Sequence, residues 1–406
     1  MKKDLLILTE FYYPDIASTG KLLTQLAEDL ASLGLSVDVL TGMPSYHQKQ
    51  KSRNDIEKKS VYNDVYIERI PSLKLDKKNK IGRLLNYFSF TLSVLLRFYK
   101  LKNYKNVLVV SNPPLLPIAG YVSSKLYKNN FCYLIHDLYP DIAISLKVIK
   151  PNSIMAKTMD FLNDKFFRYA KRVIVLGEDM KQYLKDNKDV DEFKIEVIPN
   201  WADKNVIKVY PKQNHYSEKY GLDNKFVVLY SGNIGLFQNL EMIIETAKLL
   251  EGYKDIVFLF VGEGGKKEKL INMVKEYNLQ NVKFWSYQSE QDYPYLLSSA
   301  DCHIVTLEEE AEGLGVPSKT YSYLASGRPI IAIMSNKTDV GLLVEQQQIG
   351  FRVDQNNINH LRESILALYS SEKLKFEMGK KARIIFEKNY ERKICTQKYF
   401  YLFNKL

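Results

Sequence analysis

Cysteine is scarce in this sequence of 406 residues: there are three, Cys132, Cys302 and Cys395, and they lie far apart. An odd and scattered set argues against a disulfide framework and favours reduced, buried thiols, as is typical of a cytoplasmic protein. The five histidines are equally dispersed, so the spacing of a zinc site is missing as well. We therefore expect a fold that depends on its hydrophobic core.

Long hydrophobic runs are also missing. No stretch approaches the roughly 18 apolar residues of a membrane span. The basic Lys2-Lys3 leads directly into the strand-like Leu5–Leu8, so we predict no cleaved signal segment. The apolar content of 46% is nevertheless ample, and a chain of this length suits two domains, each with its own core.

Two short motifs resemble known binding sites, but neither has the pattern or the surroundings that such a site requires. Gly262-Glu263-Gly264-Gly265 resembles a dinucleotide fingerprint, but its third glycine would fall on Lys267, and the loop after the first strand has no such pattern. Asp189-Val190-Asp191 resembles a metal-binding carboxylate pair, yet it lies in the charged run 185–194. We interpret it as solvated surface and expect neither a nicotinamide cofactor nor a metal.

Basic residues exceed acidic ones, mainly in the amino-terminal half. The formal net charge is +11, and residues 1–200 contribute +9 of it. Between Lys74 and Lys105 there are nine lysines and arginines but one acidic residue, Asp76, and the aromatic-rich run 84–96 lies among them. As a helix that run is only about 20 Å long. It either lies against an anionic membrane face or forms a core helix between solvated lysines. Nucleic acid is not expected, because no recognised motif supports it.

Strand-like and helix-like segments alternate along the chain in two series, which predicts two parallel sheets with helices on both faces. We place an amino-terminal domain at 1–202 and a second at 203–388, with a final helix at 389–406 packing back on the first. The predicted strands are Leu5–Thr9, Val37–Thr41, Val107–Ser111, Phe131–His136, Val173–Leu176 and Ile195–Ile198, then Phe226–Tyr230, Ile256–Val261, Val282–Phe284, Cys302–Thr306, Ile330–Ile333 and Gly350–Val353.

Ligands of open α/β folds bind at the carboxyl ends of the strands, and we expect the two domains to face a cleft there. Candidate binding residues in the first domain are Asp15, Ser18, Thr19, Gly20, Asn112, Asp137 and Tyr139. Candidates in the second domain are Ser231, Gly232, Asn233, Gly262, Glu263, Trp285, Tyr287, Pro317, Ser318 and Tyr321. His136, Lys319 and Glu312 are the candidate catalytic residues.

The most informative segment runs from Glu312 through Lys319 to Pro329 and reads as a glycine-rich loop, a short helix and a buried strand. The loop allows close backbone approach, Ser318 is predicted to cap the helix, and the first helical amides favour an anion. Lys319 adds a positive charge at the same place. The segment predicts a cradle for a phosphate-bearing ligand.

Two titratable residues have open interpretations. His136 ends a strand, where a neutral imidazole can bond a sugar hydroxyl while Asp137 or a carbonyl fixes its tautomer; the alternative is a satisfied, half-buried histidine. Glu312 can stabilise a proton or a cation, or it belongs to a solvated acidic loop with Glu308, Glu309 and Glu310.

Taken together, the motifs resemble those of bacterial family 4 glycosyltransferases with the GT-B fold, in which two doubly wound Rossmann-like domains face a cleft. The resemblance covers essentially the whole chain. It is closest to the subgroup that builds capsule, colanic-acid and O-antigen units, which includes fucosyl and N-acetylfucosaminyl transferases. The residues that carry it are Ser18-Thr19-Gly20, His136-Asp137, Pro199 to Asp203, Ser231 to Gly235, Pro317-Ser318-Lys319 and Gly327-Arg328-Pro329.

The resemblance implies a metal-independent hexosyltransferase that moves a sugar from a nucleotide diphosphate sugar, with a UDP-sugar favoured, and retains its configuration. It implies that His136 contacts the donor sugar and that Gly20 lets the acceptor-side loop approach the phosphates. It also implies that Asp15, Ser18, Asn112, Asp137 and Tyr139 lie on the acceptor side, and that the other binding candidates, from Thr19 to Tyr321, contact the donor. We expect Lys319, the helix start at Ser318 and the Gly232-Asn233 amides to stabilise the leaving diphosphate. The expected acceptor is a saccharide, linked to an undecaprenyl-type lipid, and a peripheral position on the inner membrane face would follow.

The chain departs from the family pattern in two places. Many members carry two glutamates eight positions apart, but from Glu312 the second falls on Thr320, and counted back from Gly327 the pair falls on Leu314 and Ser322. The usual arginine and lysine after the first strand of the second domain are also missing, which raises the importance of Lys319. A nucleotide-sugar epimerase and a non-catalytic basic binding protein are the alternative hypotheses.

Overall fold

The computed structural model describes residues 2–15, 18–44, 56–75, 80–235 and 238–406. Asp76, Lys77 and Lys78 of the predicted basic segment lie outside these ranges. The chain divides into two units. Unit 1 comprises Met1–Asn200, Gly313–Gly315 and Lys393–Leu406, and unit 2 comprises Trp201–Glu312 and Val316–Arg392.

Unit 1 is built on an eight-stranded sheet in the order β3-β4-β2-β1-β5-β6-β7-β8. All its strand pairs are parallel except β3 with β4. The strands are β1 (Lys3–Thr9), β2 (Val37–Gly42), β3 (Lys59–Tyr62), β4 (Val65–Ile70), β5 (Tyr104–Val110), β6 (Asn130–Leu134), β7 (Arg172–Val175) and β8 (Ile195–Val197). Their helices are α1 (Ser18–Ser32), α2 (Lys80–Leu95), α3 (Pro117–Tyr127), α4 (Asp141–Ser145), α5 (Ile154–Tyr169) and α6 (Glu178–Lys188).

Unit 2 has a six-stranded, wholly parallel sheet in the order β11-β10-β9-β12-β13-β14. Its strands are β9 (Phe226–Ser231), β10 (Ile256–Val261), β11 (Val282–Trp285), β12 (Cys302–Thr306), β13 (Ile330–Ile333) and β14 (Gly350–Val353). Its helices are α7 (His215–Lys219), α8 (Glu241–Leu249), α9 (Lys267–Glu276), α10 (Tyr293–Ser298), α11 (Lys319–Ser326), α12 (Asp339–Gln346), α13 (Ile358–Tyr369) and α14 (Glu372–Asn389). The last helix, α15 (Arg392–Lys405), belongs to unit 1 from Lys393 onwards.

The core of unit 2 covers both faces of its sheet. Alternate residues of β9 divide between two hydrophobic clusters: Val227 and Leu229 belong to one, Val228 and Tyr230 to the other. Because successive side chains of a strand point to opposite faces, helices must cover the sheet on both sides, as in parallel α/β folds. The predicted pair of Rossmann-like α/β domains is confirmed.

The hairpin β3–β4 was not predicted. Its exposed edge strand follows no clear apolar pattern, and its turn consists of Asn63 and Asp64, which both have positive φ angles of 48° and 61°. An Asn-Asp pair between two strand-like runs is the signal that could have revealed it.

The apolar run 84–96 forms most of α2, and it is neither wholly buried nor wholly exposed. Phe90 and Val94 are buried, whereas Leu84, Phe88 and Leu92 are about half exposed. Among the described residues, no helix is long and apolar enough to cross a membrane. All three cysteines are buried and free, in agreement with the prediction of reduced, buried thiols.

Candidate functional site

Lys319, the first residue of α11, places a buried ammonium group beside the loop that follows β9. Its Nζ lies 3.6 Å from the centroid of the Tyr230 ring and has no hydrogen-bond partner among the residues the structure describes. A Cβ built on Gly232 would lie only 3.1 Å from Lys319 Cε, so the lysine touches the loop. Burial lowers the pKa of Lys319 to about 7, since desolvation disfavours the charged form. A bound anion would supply the missing counter-charge.

Tyr323 holds α11 against the end of β9. Its hydroxyl donates to the Ser231 carbonyl at 2.9 Å and accepts from the Ser231 amide at 2.8 Å. Its ring stacks on His303, with the centroids 4.2 Å apart. Tyr323 and Lys319 are four residues apart on one face of the helix, so this contact also positions the lysine. The sequence analysis missed Tyr323 and Tyr230, because both act through tertiary contacts.

The loops after β9 and β10 pack backbone against backbone. Gly232 and Gly262 have φ angles of 140° and 150°, and a Cβ on Gly262 would lie 1.9 Å from the Gly232 carbonyl oxygen. The Ile234 amide donates to the Glu263 carbonyl at 2.9 Å. Glycine is therefore required at 262 for contact between the two loops.

The loop after β11 adds aromatic surface to the same strand ends. The Trp285 carbonyl accepts a hydrogen bond from the Gly262 amide at 2.9 Å, and the Trp285 ring packs 4.9 Å from that of Tyr220. Tyr287 is 58% exposed, and Glu263 forms a 2.8 Å ion pair with Lys267. The structure thus brings the predicted Ser231, Gly232, Gly262, Trp285 and Lys319 to one edge of the unit 2 sheet. Asn233 is exposed on the same β9 loop.

Ser318 does not cap α11, so that prediction was wrong. Its φ and ψ angles of −62° and −24° are already helical, and its side chain makes no capping hydrogen bond. A side-chain cap requires a more extended backbone, from which the oxygen can reach an amide two or three residues on. The Pro317 carbonyl instead accepts from the Thr320 amide at 3.1 Å.

Tyr321 and Glu312 differ in their surroundings. Tyr321 is 3% exposed and packs in the unit 2 core, 5.2 Å from the Tyr390 ring, so its position indicates packing rather than contact with a ligand. Glu312 is half-buried, and its Oε1 is sealed from solvent without a hydrogen-bond partner in the described part of the chain. An unsatisfied carboxylate oxygen of this kind is suited to a polar ligand.

Lys266 is a second basic residue at this sheet edge that the sequence analysis missed. It follows β10, and its Nζ donates to the Gln238 carbonyl at 2.9 Å and contacts Glu241 and Glu308 at 3.1 Å each. It lines a polar cavity of about 320 Å³ together with Gln355 and neighbouring acidic residues. Since two carboxylates already neutralise Lys266, Lys319 remains the better candidate for binding an anion.

In unit 1, His136 and Asp137 follow β6 and are anchored through their backbones. The Ser111 hydroxyl accepts from both of their amides, at 3.1 and 3.3 Å. Burial lowers the pKa of His136 to about 4 and raises that of Asp137 to about 6. The imidazole is therefore neutral near pH 7. Asn112, after β5, has a buried Oδ1 without a partner among the described residues.

The glycine-rich segment Gly313–Gly315 pairs with this region. The Leu138 amide donates to the Leu314 carbonyl at 2.9 Å, and Asp137 forms a β-bridge with Gly315. Gly313 has a φ of 70°, and a Cβ there would lie 2.9 Å from Tyr183 Cβ. The glycines of this segment thus allow close packing within unit 1.

The remaining predicted residues lie at other strand ends of unit 1. Ser18 and Thr19 open α1, and a Cβ on Gly20 would lie 3.4 Å from the carbonyl oxygen of the buried Asp15. The Tyr139 carbonyl accepts a hydrogen bond from Asn163. Within the described ranges, no group of three or more histidine, cysteine, aspartate or glutamate side chains is arranged to hold a metal ion.

Two parallel-sheet units, with a cationic helix start and glycine loops at the strand ends, define the class: the chain is a GT-B glycosyltransferase. Two family models match it in succession, "Glycosyltransferase Family 4" over residues 19–206 and "Glycosyl transferases group 1" over residues 212–384. Between them they account for most of the sequence.

Individual relatives have low sequence identity to the chain but align with most of its length. The chain is 27% identical to the probable glycosyltransferase WbjE of Pseudomonas aeruginosa over 72% of each chain. It is also 27% identical to the putative colanic acid biosynthesis glycosyl transferase WcaI of Escherichia coli, over 82% of this chain and 84% of that protein. Among solved structures, Anabaena HepE in complex with UDP superposes with a TM-score of 0.75 and 15% identity over 100% of both chains.

Proposed function

We propose that the protein transfers a hexose from a UDP-sugar, with retention of configuration and without a bound metal, to a lipid-linked saccharide. The observation that carries the proposal is the buried ammonium of Lys319, held over the Tyr230 ring beside Gly232. A buried cation without an ion-pair partner is costly. A diphosphate in contact with it would remove that cost and would be stabilised most as it departs with growing negative charge.

UDP is the favoured nucleotide because the structurally similar HepE was solved in complex with UDP. The loops after β10 and β11, with Trp285 and the exposed Tyr287, offer aromatic surface near the Lys319 loop. In unit 1, we assign the neutral His136 to a hydroxyl of the donor sugar. Its lowered pKa supports this role, because an uncharged imidazole can both donate and accept a hydrogen bond.

The acceptor is proposed from the function of a relative. WcaI is described as a colanic acid biosynthesis transferase, and such a polymer suggests a growing saccharide on a lipid carrier. We accordingly place the reaction in surface polysaccharide synthesis, on the cytoplasmic side of the membrane. Fucose and N-acetylfucosamine are among the sugars to be assayed.

The test is a melting-temperature screen of the full chain against UDP, GDP, ADP and CMP, with and without EDTA, followed by the corresponding nucleotide sugars. We expect selective stabilisation by UDP that persists in EDTA. Equal shifts with all four nucleotides, or none, would overturn the donor assignment. Products formed from the chosen sugar without acceptor would then be identified, because an epimerised nucleotide sugar would replace the transferase proposal with the epimerase alternative.

A further inference from the structure

Helices α2, α3 and α5 of unit 1 lie on one face of its sheet, in a layer that α6 continues. The connections from β4 to β5, β5 to β6 and β6 to β7 all step in the same direction across the sheet, so right-handed crossovers place α2, α3 and α5 on the same side. Their contacts agree with this placement. The rings of Tyr121 on α3 and Tyr169 on α5 lie 5.1 Å apart, and those of Phe98, just after α2, and Tyr127 on α3 lie 5.0 Å apart.

The outer surface of this layer is unusually apolar for a region in contact with water. On α2 the exposed residues recur every four positions, which places them on one side of the helix. The other two helices add large apolar side chains that are equally uncovered. The exposed set is Leu84, Leu85, Phe88, Leu92, Leu96, Tyr99, Leu126, Ile154, Met155, Phe161 and Tyr169, with exposures from 40% to 86%. We call it the outer helical face.

The same layer carries a strong positive charge. Residues 80–103, 117–130 and 147–171 contain thirteen lysines and arginines and two aspartates, a net charge equal to the +11 of the entire chain. One aspartate, Asp160, is paired with Lys188, and Arg97 and Lys100 face Glu68. Other cations lie over the exposed rings: Lys165 Nζ is 5.0 Å from Phe161 and Lys125 Nζ is 4.6 Å from Tyr169. A basic surface around apolar side chains is the composition that favours an anionic interface.

A second cavity lies at the carboxyl ends of α3 and α5. It measures about 410 Å³ and is lined by Lys128, Lys171, Arg172 and Lys194, together with Ser124 and Tyr169 of the two helices. Arg172 also forms an ion pair with Glu196, with its Nε 3.2 Å from Glu196 Oε1. The cavity therefore places several cations beside Tyr169, a member of the outer helical face.

We infer that the outer helical face docks on the surface of a bilayer rich in anionic phospholipids, with its leucine, isoleucine and phenylalanine side chains among the acyl chains near the headgroups. A second copy of the chain is a poorer partner, because a symmetric contact would bring two faces of the same strong positive charge together. The inference goes beyond the proposed transfer reaction, since the surface acts without donor or acceptor.

The test is vesicle flotation of the full chain with phosphatidylcholine alone and with phosphatidylcholine containing about one third phosphatidylglycerol, at low and high salt. We expect binding to the anionic vesicles that high salt weakens. A variant with Leu84→Ser, Phe88→Ser and Leu92→Ser should bind at least about 10-fold more weakly, because insertion energy scales with buried apolar area. The matched control is Phe376→Ser with Ile384→Ser on α14, exposed by 72% and 53%, which should bind within about 2-fold of the wild type.

Light scattering measures the oligomeric state, and melting curves measure folding and the effect of UDP. The face variant should remain folded and keep its UDP-induced melting shift, so failure of docking is separable from failure of the donor assignment. Equal binding to neutral vesicles, undiminished binding by the face variant, or a dimer that the face variant dissociates would each overturn the inference.

Discussion

The Tyr323 hydroxyl bonds both backbone groups of Ser231, donating to its carbonyl and accepting from its amide. One phenol thereby joins α11 to the end of β9 and fixes the distance between Lys319 and the Gly232 loop. The contact is buried, so each of its hydrogen bonds is costly to lose.

Tyr323→Phe should lower the free energy of unfolding by about 1–3 kcal/mol, because two buried backbone groups lose their partner. It should also weaken UDP binding, since the Lys319 helix is no longer held to the loop. Urea unfolding and a UDP titration measure the two effects. Tyr253→Phe, at an exposed ring, is the control and should change neither; an unaffected Tyr323→Phe protein would mean that the contact is energetically unimportant.

Lys319→Met should stabilise the free protein and strongly lower its turnover. Removing a desolvated charge should raise the free energy of unfolding. In a domain of this size, each 1 kcal/mol of added stability should raise the melting temperature by about 2–4 °C. Turnover should fall about 100-fold or more, the usual cost of losing one preorganised donor to developing charge. Lys283→Met, at an exposed lysine on β11, is the matched control. A Lys319→Met protein that still shows the full UDP shift would place the phosphates elsewhere.

UDP binding should be accompanied by proton uptake above neutral pH. The folded-state pKa of Lys319 is lowered from 10.5 to about 7, so the free protein has lost this proton at pH 8 and regains it when a diphosphate binds. Calorimetry in buffers of different ionisation enthalpy should show close to one proton taken up at pH 8. At pH 6 Lys319 is already protonated and contributes none. The Lys319→Met variant should show no such uptake, and an identical value in wild type and variant would contradict the assignment.

The same pKa predicts how stability depends on pH. Between about pH 7 and 10.5 the unfolded chain binds the Lys319 proton and the folded chain does not, so the contribution of this residue to stability rises with pH. Below pH 7 both states are protonated and the full cost of burying the charge remains. The stability advantage of Lys319→Met should therefore be largest below pH 7 and shrink towards pH 10 in denaturant titrations.

His136→Gln should reduce turnover about 10–100-fold while the protein stays folded, as expected for the loss of a substrate hydrogen bond. His360→Gln, on α13 of unit 2, is the control. Because burial lowers the pKa of His136 to about 4, the wild type should lose stability as the pH falls from 6.5 to 4, and the variant should lack this component. Cooperative unfolding of the variant at neutral pH would instead make His136 a core residue.

Gly262→Ala should destabilise unit 2 strongly, by about 3 kcal/mol or more, because its Cβ would overlap the Gly232 carbonyl oxygen. Gly252→Ala is the matched control, since nothing lies within 4 Å of a Cβ there. Thermal unfolding of both variants measures the difference. Equal stability would show that the two loops separate easily.

Much of the fold was predictable because buried parallel strands read as continuous apolar runs, and β10, β12, β13 and β14 begin and end where their sequences indicate. The hairpin β3–β4 was not predicted, because an exposed edge strand has no continuous apolar run. The glycine loops and Lys319 were visible as local patterns. The roles of Tyr230 and Tyr323 were not, because the residues they contact are distant in sequence. Ser318 was mistaken for a cap because residue type does not determine backbone angles.

The main-chain contacts between the loops after β9, β10 and β11 have an evolutionary consequence. Their relative positions depend on amides, carbonyls and glycines, so substitutions at exposed positions such as Asn233 and Tyr287 leave this frame intact. Preference for one nucleotide or sugar over another can then diverge between relatives without rebuilding the support, and the same positions are the natural ones to randomise when altering donor choice.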